Sequence, residues 1–283
     1  MIAVKLEGRL GNQLFQYAFI YATAKKLNTR FYMDKSVDYL LIDKYFNIHT
    51  DFCRILDNKL FSIKGYKNIF SHHLRRSFYY SLRNIIQLKR KTFSNFESPA
   101  QQLDKIKNGL LYEGYFQSEE YFVDYTNEIK KQFDIKNIYQ TSFRAIFDTL
   151  PKAEKYITVH VRRGDYIDHK LTLPALYYHK AISSIDHPDN YYIFVSDDAD
   201  FVTSEFAYIA NKYVSKNDEI TDLQFLMRAD TCILSNSSFS WWGAWLNQNP
   251  DKIIYAPVYF MGRELKKEIP PDIYPSNWVQ VNY

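Results

Sequence analysis

The chain has 283 residues, of which 46% are hydrophobic and 24% are charged, so it is long enough to bury a sizeable core and is not disordered throughout. Its net charge is only +4, which excludes a generally basic protein. No run of about 18 apolar residues occurs, which excludes a transmembrane helix, and the first residues lack the basic start and long apolar stretch of a secretory signal. We therefore expect a cytoplasmic protein.

The amino-terminal pattern predicts a strand, a glycine-containing turn and a helix. Residues 1–6 form a strand-like apolar run. Apolar side chains then recur at helical spacing over residues 12–27, which predicts an amphipathic helix with Asn12 as its N-cap. A second strand is predicted at residues 30–34.

Between residues 38 and 150 the pattern is less regular, with helices predicted at 74–90 and 118–133 and a strand at 110–116. The stretch from Lys59 to Lys91 carries nine Lys and Arg residues and no acidic one. Two interpretations fit it: a core-facing helix with a solvated basic face, or a helix that contacts an anionic membrane surface. Co-sedimentation with anionic vesicles at low and high salt separates the two. Nucleic-acid binding is not favoured, because no recognised reading motif accompanies the charge.

After Pro151 the pattern becomes regular. Apolar strands are predicted at 156–161, 191–195, 231–234 and 252–256, and they alternate with helices at 174–185, 200–209, 219–229 and 239–247. Such alternation predicts a parallel sheet that is covered by helices on both faces. We expect two α/β halves, at residues 1–150 and 151–283.

The positions of the two cysteines are consistent with a protein in a reducing compartment. Cys232 lies within the apolar strand predicted at 231–234, so we expect a buried reduced thiol. A disulfide with Cys53 is not expected, because no secretory signal accompanies the pair.

Three predicted strands of the C-terminal half each end in a polar segment. The segments are residues 160–166, 196–198 and 235–243. Because ligands of open α/β sheets bind beyond the carboxyl ends of the strands, we expect these segments to meet at one rim and to form a site.

The side chains of this rim suit a nucleoside diphosphate. Arg162 and Arg163 offer planar donors to phosphate oxygens, the serine-rich turn offers hydroxyls and N–H groups at a helix start, and Asp197 or Asp198 can accept from guanine. Each feature also has a purely structural interpretation. The arginines can pair with Asp165, the acidic and serine residues can cap helices, and the paired tryptophans can belong to the core.

Five segments, in order along nearly the whole chain, resemble the alpha-1,2-fucosyltransferases of glycosyltransferase family 11. They are residues 8–18, 114–117, 160–166, 235–242 and 252–257. The segment Arg162-Arg163-Gly164-Asp165 is the most specific of them. The family usually has glycine where this chain has Arg9, a difference that bears on the acceptor side.

The resemblance implies an α/β fold of the GT-B-like type, with two Rossmann-like halves whose parallel sheets face a cleft. The C-terminal half would hold GDP-fucose and the N-terminal half the acceptor. The implied reaction moves L-fucose with inversion to the 2-hydroxyl of a galactose-terminated glycan, such as a lipid-linked precursor of an O-antigen. The alternative is a non-catalytic sugar- or nucleotide-binding relative.

The resemblance also implies roles for single residues. Arg162 would contact the diphosphate, and Asn12 and His160 would lie close to the reacting centre. His160, Asp165 or a carboxylate of the N-terminal half would be the base. The donor-binding residues would be Gly11, Arg163, Ser196, Asp197, Asp198, Asn236, Ser237, Ser238, Phe239 and Ser240. Residues 198–200 spell an Asp-x-Asp motif, but the arginines already offer positive charge, so we expect no metal ion and no other cofactor.

Overall fold

The computed structural model describes residues 1–36, 40–51, 77, 80, 81 and 86–283. The chain divides into two compact α/β units. The first comprises Met1–Ile135 with Pro270–Asp272, and the second comprises Lys136–Ile269 with Ile273–Tyr283. Residues 136–150, which the sequence pattern places in the N-terminal half, therefore belong to the second unit.

The first unit contains a four-stranded parallel sheet with strand order β2-β1-β4-β3. Its strands are β1 (Ile2–Lys5), β2 (Phe31–Asp34), β3 (Lys89–Thr92) and β4 (Leu110–Glu113). The helices of this unit whose bounds are described are α1 (Leu10–Lys26), α2 (Ile42–Tyr45), α3 (Pro99–Leu103) and α4 (Thr126–Gln132), with 3₁₀ turns at Glu119–Tyr121 and Val123–Tyr125. The strands predicted at 1–6, 30–34 and 110–116 are all present.

Helix α1 differs from its prediction in two ways. It begins at Leu10 rather than at residue 12, and Arg9 is its N-cap residue, so Asn12 lies inside the first turn and the predicted N-cap was wrong. The helix is also buried on nearly every face instead of being amphipathic. It packs both on the sheet and on a cluster of aromatic rings that includes Phe116 and Tyr121. Phe19 stacks on Phe116 of that cluster, with 3.8 Å between the ring centroids.

Much of the stretch from Lys59 to Lys91, with the helix predicted at 74–90, lies outside the described residues, as does Cys53. The described end of the stretch is the strand β3, so a helix does not extend to residue 90. The pattern of β3 is entirely polar, and that is why the sequence did not indicate a strand there. Along the described parts of the chain, no helix combines the length and apolarity needed to cross a membrane.

The second unit contains a six-stranded parallel sheet with strand order β10-β9-β8-β5-β6-β7. Its strands are β5 (Lys155–Val161), β6 (Asn190–Ser196), β7 (Lys212–Val214), β8 (Thr231–Ile233), β9 (Ile253–Pro257) and β10 (Val279–Val281). Its helices are α5 (Asn137–Phe147), α6 (Gly164–Asp168), α7 (Ala175–Ser183), α8 (Ala199–Glu205), α9 (Glu219–Arg228) and α10 (Ser238–Leu246), with a 3₁₀ turn at Arg263–Leu265. The predicted alternation of strands and helices is confirmed.

Helices cover both faces of this sheet, as predicted. On one face, Tyr177 and Tyr178 of α7 and Phe206 pack on β5 and β6. On the other, Phe143 of α5 meets Phe225 of α9, with 5.2 Å between the ring centroids. This second contact is the physical reason why residues 136–150 belong to the second unit.

Candidate functional site

The carboxyl ends of β8, β5 and β6 lie side by side in the second unit and bring three polar segments together. Arg162 Nη1, after β5, lies 2.7 Å from Asp197 Oδ2, after β6. His160 Nδ1, on β5, lies 2.7 Å from Ser235 Oγ, after β8. These contacts confirm that the three segments form one rim, while the roles of its residues in binding and catalysis stay predictions.

Arg162 lies between two carboxylates. Its Nη2 is 2.5 Å from Asp165 Oδ1, in addition to the Asp197 contact on Nη1. The guanidinium carbon lies 5.3 Å from the centre of the Tyr166 ring, and 18% of the side chain is exposed. Arg162 is thus accessible, charged and held in place, which suits a group that meets an anion at the rim.

Arg163 is bound to the β6 segment by its side chain and its backbone. Its Nε donates to Asp198 Oδ2 at 2.9 Å, and its backbone N–H donates to Asp197 Oδ1 at 2.8 Å. Its guanidinium also lies 3.7 Å from the centre of the Phe201 ring. Arg163 is therefore an ion-pair partner within the protein, but of Asp198 and not of Asp165, the partner that the structural interpretation named.

Asp198 is the N-cap of α8, as one of the two interpretations of this residue predicted. Its Oδ1 accepts from the backbone N–H of Phe201 at 3.0 Å. That hydrogen bond, and then the one from Arg163, lower the pKa of the Asp198 carboxyl. The first aspartate of the Asp-x-Asp spelling is thus already committed to a helix cap and an arginine.

His160 is buried, with 5% of its surface exposed. Burial, and secondarily the charge of Arg162, lower the pKa of its imidazole to about 3. The ring is therefore neutral at neutral pH and hydrogen-bonded to Ser235. So low a pKa makes His160 a weak proton acceptor, which argues against it as the general base.

The serine-rich turn caps α10. Ser237 is the N-cap, and its Oγ accepts from the backbone N–H of Phe239 at 3.3 Å. Ser240 is fully buried and donates to the Ser237 carbonyl at 3.2 Å, whereas Ser238 and Phe239 are half-buried. The capping interpretation is confirmed, and the predicted anion contact at this helix start is compatible with it.

Asn236 and Tyr166 join the serine-rich turn to the segment after β5. The Asn236 amide donates to the Leu171 carbonyl at 2.9 Å, and the Tyr166 hydroxyl donates to the Asn236 carbonyl at 3.2 Å. Asn236 Oδ1 is buried without a hydrogen-bond partner in the protein. Trp241 and Trp242 are fully buried in α10 and belong to the core, which confirms the structural interpretation of this pair.

Gly11 and Asn12, the two predicted site residues of the first unit, lie in the first turn of α1. Asn12 Oδ1 accepts from Gln117 Nε2 at 3.0 Å. Gly8, in the turn before the helix, has a φ of +71°, and a Cβ there would lie 2.5 Å from Asn12 Nδ2. Glycine at this position therefore permits both the backbone conformation and the close approach of Asn12.

Two buried glutamines hold the same turn, and the sequence did not single them out. Gln13 Nε2 donates to the Gly8 carbonyl at 3.0 Å, and Gln16 Oε1 accepts from the Glu7 N–H at 2.9 Å. The available signal was their position among buried apolar residues of α1. Buried amides need hydrogen-bond partners. Buried glutamines in a helix therefore indicate that they bind the backbone of a neighbouring loop and hold it in place.

The sequence also missed a buried carboxyl near the edge of the second sheet. Ser215 follows β7, and its hydroxyl donates to Asp222 Oδ1 on α9. Burial raises the pKa of Asp222 to about 7. The short strand β7 was not predicted, so the placement of Ser215 at a strand end was not evident either.

One group of possible metal ligands lies at the amino-terminal ends of β5 and β6, the edge opposite the rim. It consists of Glu154, His187 and Asp189, whose ligand atoms lie within 4.8 Å of one another. All three side chains are exposed. Within the described chain the group is separate from the rim.

The chain is similar to known glycosyltransferases over nearly its whole length. Residues 1–282 match the family model described as glycosyl transferase family 11. An alpha-1,2-colitosyltransferase from Escherichia coli is 27% identical over 99% of both chains. The O-antigen biosynthesis glycosyltransferase WbnK from Escherichia coli is 28% identical over 93% of this chain and 96% of its own.

Solved structures show the same fold. The alpha-1,6-fucosyltransferase NodZ, crystallised with GDP, superposes with a TM-score of 0.55 at 13% identity over 86% of this chain and 91% of its own. A crystal structure of the fucosyltransferase NodZ from Bradyrhizobium is also similar to this chain. A mutant of FUT1 from Arabidopsis thaliana in complex with GDP superposes with a TM-score of 0.51 at 14% identity, over 91% of this chain and 70% of its own.

These similarities define the class of the protein as a glycosyltransferase with two parallel α/β units, which confirms the predicted GT-B-like fold class. The chain belongs to glycosyl transferase family 11, as its motifs predicted.

Proposed function

We propose that the chain is an inverting fucosyltransferase that moves L-fucose from GDP-fucose to the 2-hydroxyl of a galactose in a glycan. The observation that carries the proposal is the rim of the second unit, where Arg162 and the start of α10 lie beyond adjacent strand ends in a chain of family 11. The geometry suits an anionic leaving group. The O-antigen relative supports a surface glycan as the acceptor.

The proposed chemistry is a single displacement at the anomeric carbon. The acceptor oxygen forms a bond to this carbon, the bond to the β-phosphate oxygen breaks, and the hydroxyl proton passes to a base. Negative charge grows on the departing diphosphate. Because Arg162 is charged and already held by the rim, it stabilises that charge without reorganising.

The base is a carboxylate in this proposal. The lowered pKa of His160 makes it a weak base, so the proposal does not give it this role. The side chain of Asp165 is 55% exposed and contacts Arg162. It remains one candidate, beside a carboxylate of the first unit.

The proposed reaction needs no metal ion. Asp198, which would be the first ligand of an Asp-x-Asp motif, is occupied by the Phe201 N–H and by Arg163. The group of Glu154, His187 and Asp189 lies at the other edge of the sheet. Arg162 takes the place of the cation opposite the diphosphate.

A second donor deserves a test, because a relative covering the whole chain is named a colitosyltransferase. Colitose is fucose without its 3-hydroxyl. A site that hydrogen-bonds this hydroxyl would discriminate strongly against colitose, whereas a site that only accommodates the ring would discriminate weakly. Fucose is the proposed donor, since the motifs of the chain resemble fucosyltransferases.

GDP release with purified full-length protein tests the proposal. We expect release with GDP-fucose only when a galactose-terminated acceptor is present, and no release with a matched acceptor that has 2-deoxygalactose at its terminus. Activity should persist in excess EDTA. Preference for GDP-colitose would correct the donor, and loss of turnover in EDTA that manganese restores would correct the metal assignment.

The same assay separates an enzyme from a non-catalytic relative. A protein that binds GDP-fucose in calorimetry but releases no GDP with any acceptor of the panel would be a binding protein. A cytoplasmic location and a lipid-linked acceptor belong to the proposal as well. Fractionation of cells, followed by the same assay on membrane and supernatant fractions with extracted glycolipid, tests both.

A further inference from the structure

The guanidinium of Arg162 is already occupied by two carboxylates. Asp197 Oδ2 lies 2.7 Å from Nη1, and Asp165 Oδ1 lies 2.5 Å from Nη2. These two nitrogens form one of the two donor pairs of an arginine that can bind a phosphate group in a bidentate contact.

The two carboxylates are held very differently. The side chain of Asp165 is 55% exposed, and it reaches Arg162 from three residues along the chain on the short helix α6. The side chain of Asp197 is 27% exposed. Its second oxygen accepts from the backbone N–H of Arg163 at 2.8 Å.

The close approach of Gly164 to Asp197 is a second observation on the position of this carboxylate. A Cβ at residue 164 would lie 2.6 Å from Asp197 Oδ2 and 3.1 Å from its Cγ. Any larger residue at 164 would therefore push this carboxylate off Arg162. The glycine of the Arg-Arg-Gly-Asp segment is explained by the room that Asp197 needs.

A diphosphate in this bidentate position competes with the two carboxylates for Arg162. An exposed ion pair is worth at most about 1 kcal/mol, so the Asp165 contact breaks easily. Asp197 has two bonds to break and less contact with water. The carboxylate that leaves is therefore Asp165, and the one that stays is Asp197.

We propose that Asp197 is the positioning residue that holds Arg162 for the donor, and that Asp165 is a displaceable counter-anion whose place on Arg162 the donor diphosphate takes. This inference rests on the proposed function, since it takes the ligand to be a nucleoside diphosphate. It also gives Asp197 a different task from guanine recognition. The task is to orient the arginine.

The inference predicts opposite effects for the same substitution at two positions. Asp165→Asn removes a competitor of the diphosphate, so GDP should bind about 2- to 5-fold more tightly, as expected for an exposed pair worth about 0.5 to 1 kcal/mol. Asp197→Asn releases Arg162, so GDP should bind about tenfold more weakly, the usual cost of losing one well-placed charged contact. If only net charge mattered, both variants would bind GDP more tightly.

Calorimetry with GDP and with guanosine, on the full chain, tests the inference. Both effects should appear with GDP and be absent with guanosine, which has no diphosphate. In an Arg162→Ala background neither asparagine substitution should change GDP binding, because both residues act through Arg162. Gly164→Ala should weaken GDP binding as Asp197→Asn does. Asp200→Asn, an exposed aspartate in the first turn of α8, is the matched control and should bind as wild type.

Each contrary result would refute one part of the inference. Unchanged or tighter GDP binding by Asp197→Asn would refute the positioning role, and an equal loss for guanosine would return this residue to guanine recognition. Unchanged or weaker binding by Asp165→Asn would refute the displacement. Failure of the wild-type protein to bind GDP at all would refute the proposed function instead.

Discussion

At the scale of single residues, Arg162 and His160 show how burial gives two neighbouring basic side chains different charges. Arg162 carries the fixed positive charge of an arginine, two carboxylates contact it, and part of it meets water. His160 lies two residues earlier on β5 and is buried, so its imidazole is neutral and hydrogen-bonds Ser235. The charge that faces a ligand at this rim therefore comes from the arginine.

Substitution of Arg162 should abolish most of the transfer. We expect Arg162→Ala to lower turnover by about 10²- to 10³-fold, the usual cost of removing one preorganised donor to a developing anion. Arg162→Lys should recover little, because an ammonium lacks the planar fork of donors. Initial rates of GDP release measure both variants.

The control for this prediction is Arg228→Ala. Arg228 is the last residue of α9 and lies 5.6 Å from the centre of the Phe147 ring, away from the rim segments. It should retain wild-type turnover. Near-normal turnover by Arg162→Ala would remove this arginine from the mechanism.

At the scale of elements, the strands that carry the rim were the most predictable. The strands β5, β6 and β8 are mostly apolar, as buried parallel strands are, and polar segments lie at or just after their carboxyl ends. The strands β3, β7 and β10 were not predicted. They lie at sheet edges, have three or four residues each and lack a continuous apolar run.

The predicted start of α1 was wrong for a local reason. A polar residue before an apolar run usually indicates an N-cap, and Asn12 fits that pattern. The helix begins at Leu10, because Gly8 already turns the chain and Gln13 Nε2 binds its carbonyl. A local contact between a buried glutamine and the backbone five residues earlier thus accompanies the early helix start.

Two buried groups of the second unit give its stability opposite dependences on pH. The pKa of Asp222 on α9 is raised by burial from 3.8 to about 7 in the folded protein, so its contribution is fully present below pH 3.8 and is lost as the pH rises through 7. The pKa of His160 on β5 is lowered from 6.5 to about 3, so its contribution is present above pH 6.5 and is lost as the pH falls toward 3.

Urea unfolding between pH 4 and 7.5 tests these signs. Relative to wild type, Asp222→Asn should gain stability as the pH rises from 4 to 7, and His160→Gln should gain as it falls from 6.5 to 4. Each pKa unit corresponds to about 1.4 kcal/mol, so shifts of several kcal/mol are expected. Asp251→Asn, at an exposed aspartate that is not among the charges acting on Asp222, is the charge-matched control for Asp222→Asn. Profiles parallel to wild type would contradict the assigned shifts.

At the scale of the whole molecule, the class and the family were evident from sequence, and finer features were not. The five motif segments span the chain, which is why they identified the family that residues 1–282 match. The boundary between the units was less accessible, because α5 has a helical pattern that does not reveal its partner. The packing of Phe143 on Phe225 and of Phe147 on Tyr156 assigns it to the second unit.

The partners of the rim residues were likewise beyond the sequence. Arg162 and Arg163 were recognisable as phosphate-binding side chains, but their contacts to Asp197 and Asp198 depend on the alignment of β5 with β6. Asp222 gave no sequence signal, because its significance lies in its burial. Spacing along the chain indicates where a site forms, whereas tertiary structure decides which charges in it are already paired.

The central claim is that this chain transfers fucose to the 2-hydroxyl of galactose with inversion. NMR of the product formed from GDP-fucose and a galactose-terminated acceptor tests it most directly. We predict a single new alpha-fucosyl residue on O2 of the galactose, made by the wild-type protein and nearly absent with Arg162→Ala. A fucosyl residue of the opposite anomeric configuration, attachment to another hydroxyl, or free fucose as the only product would contradict the claim.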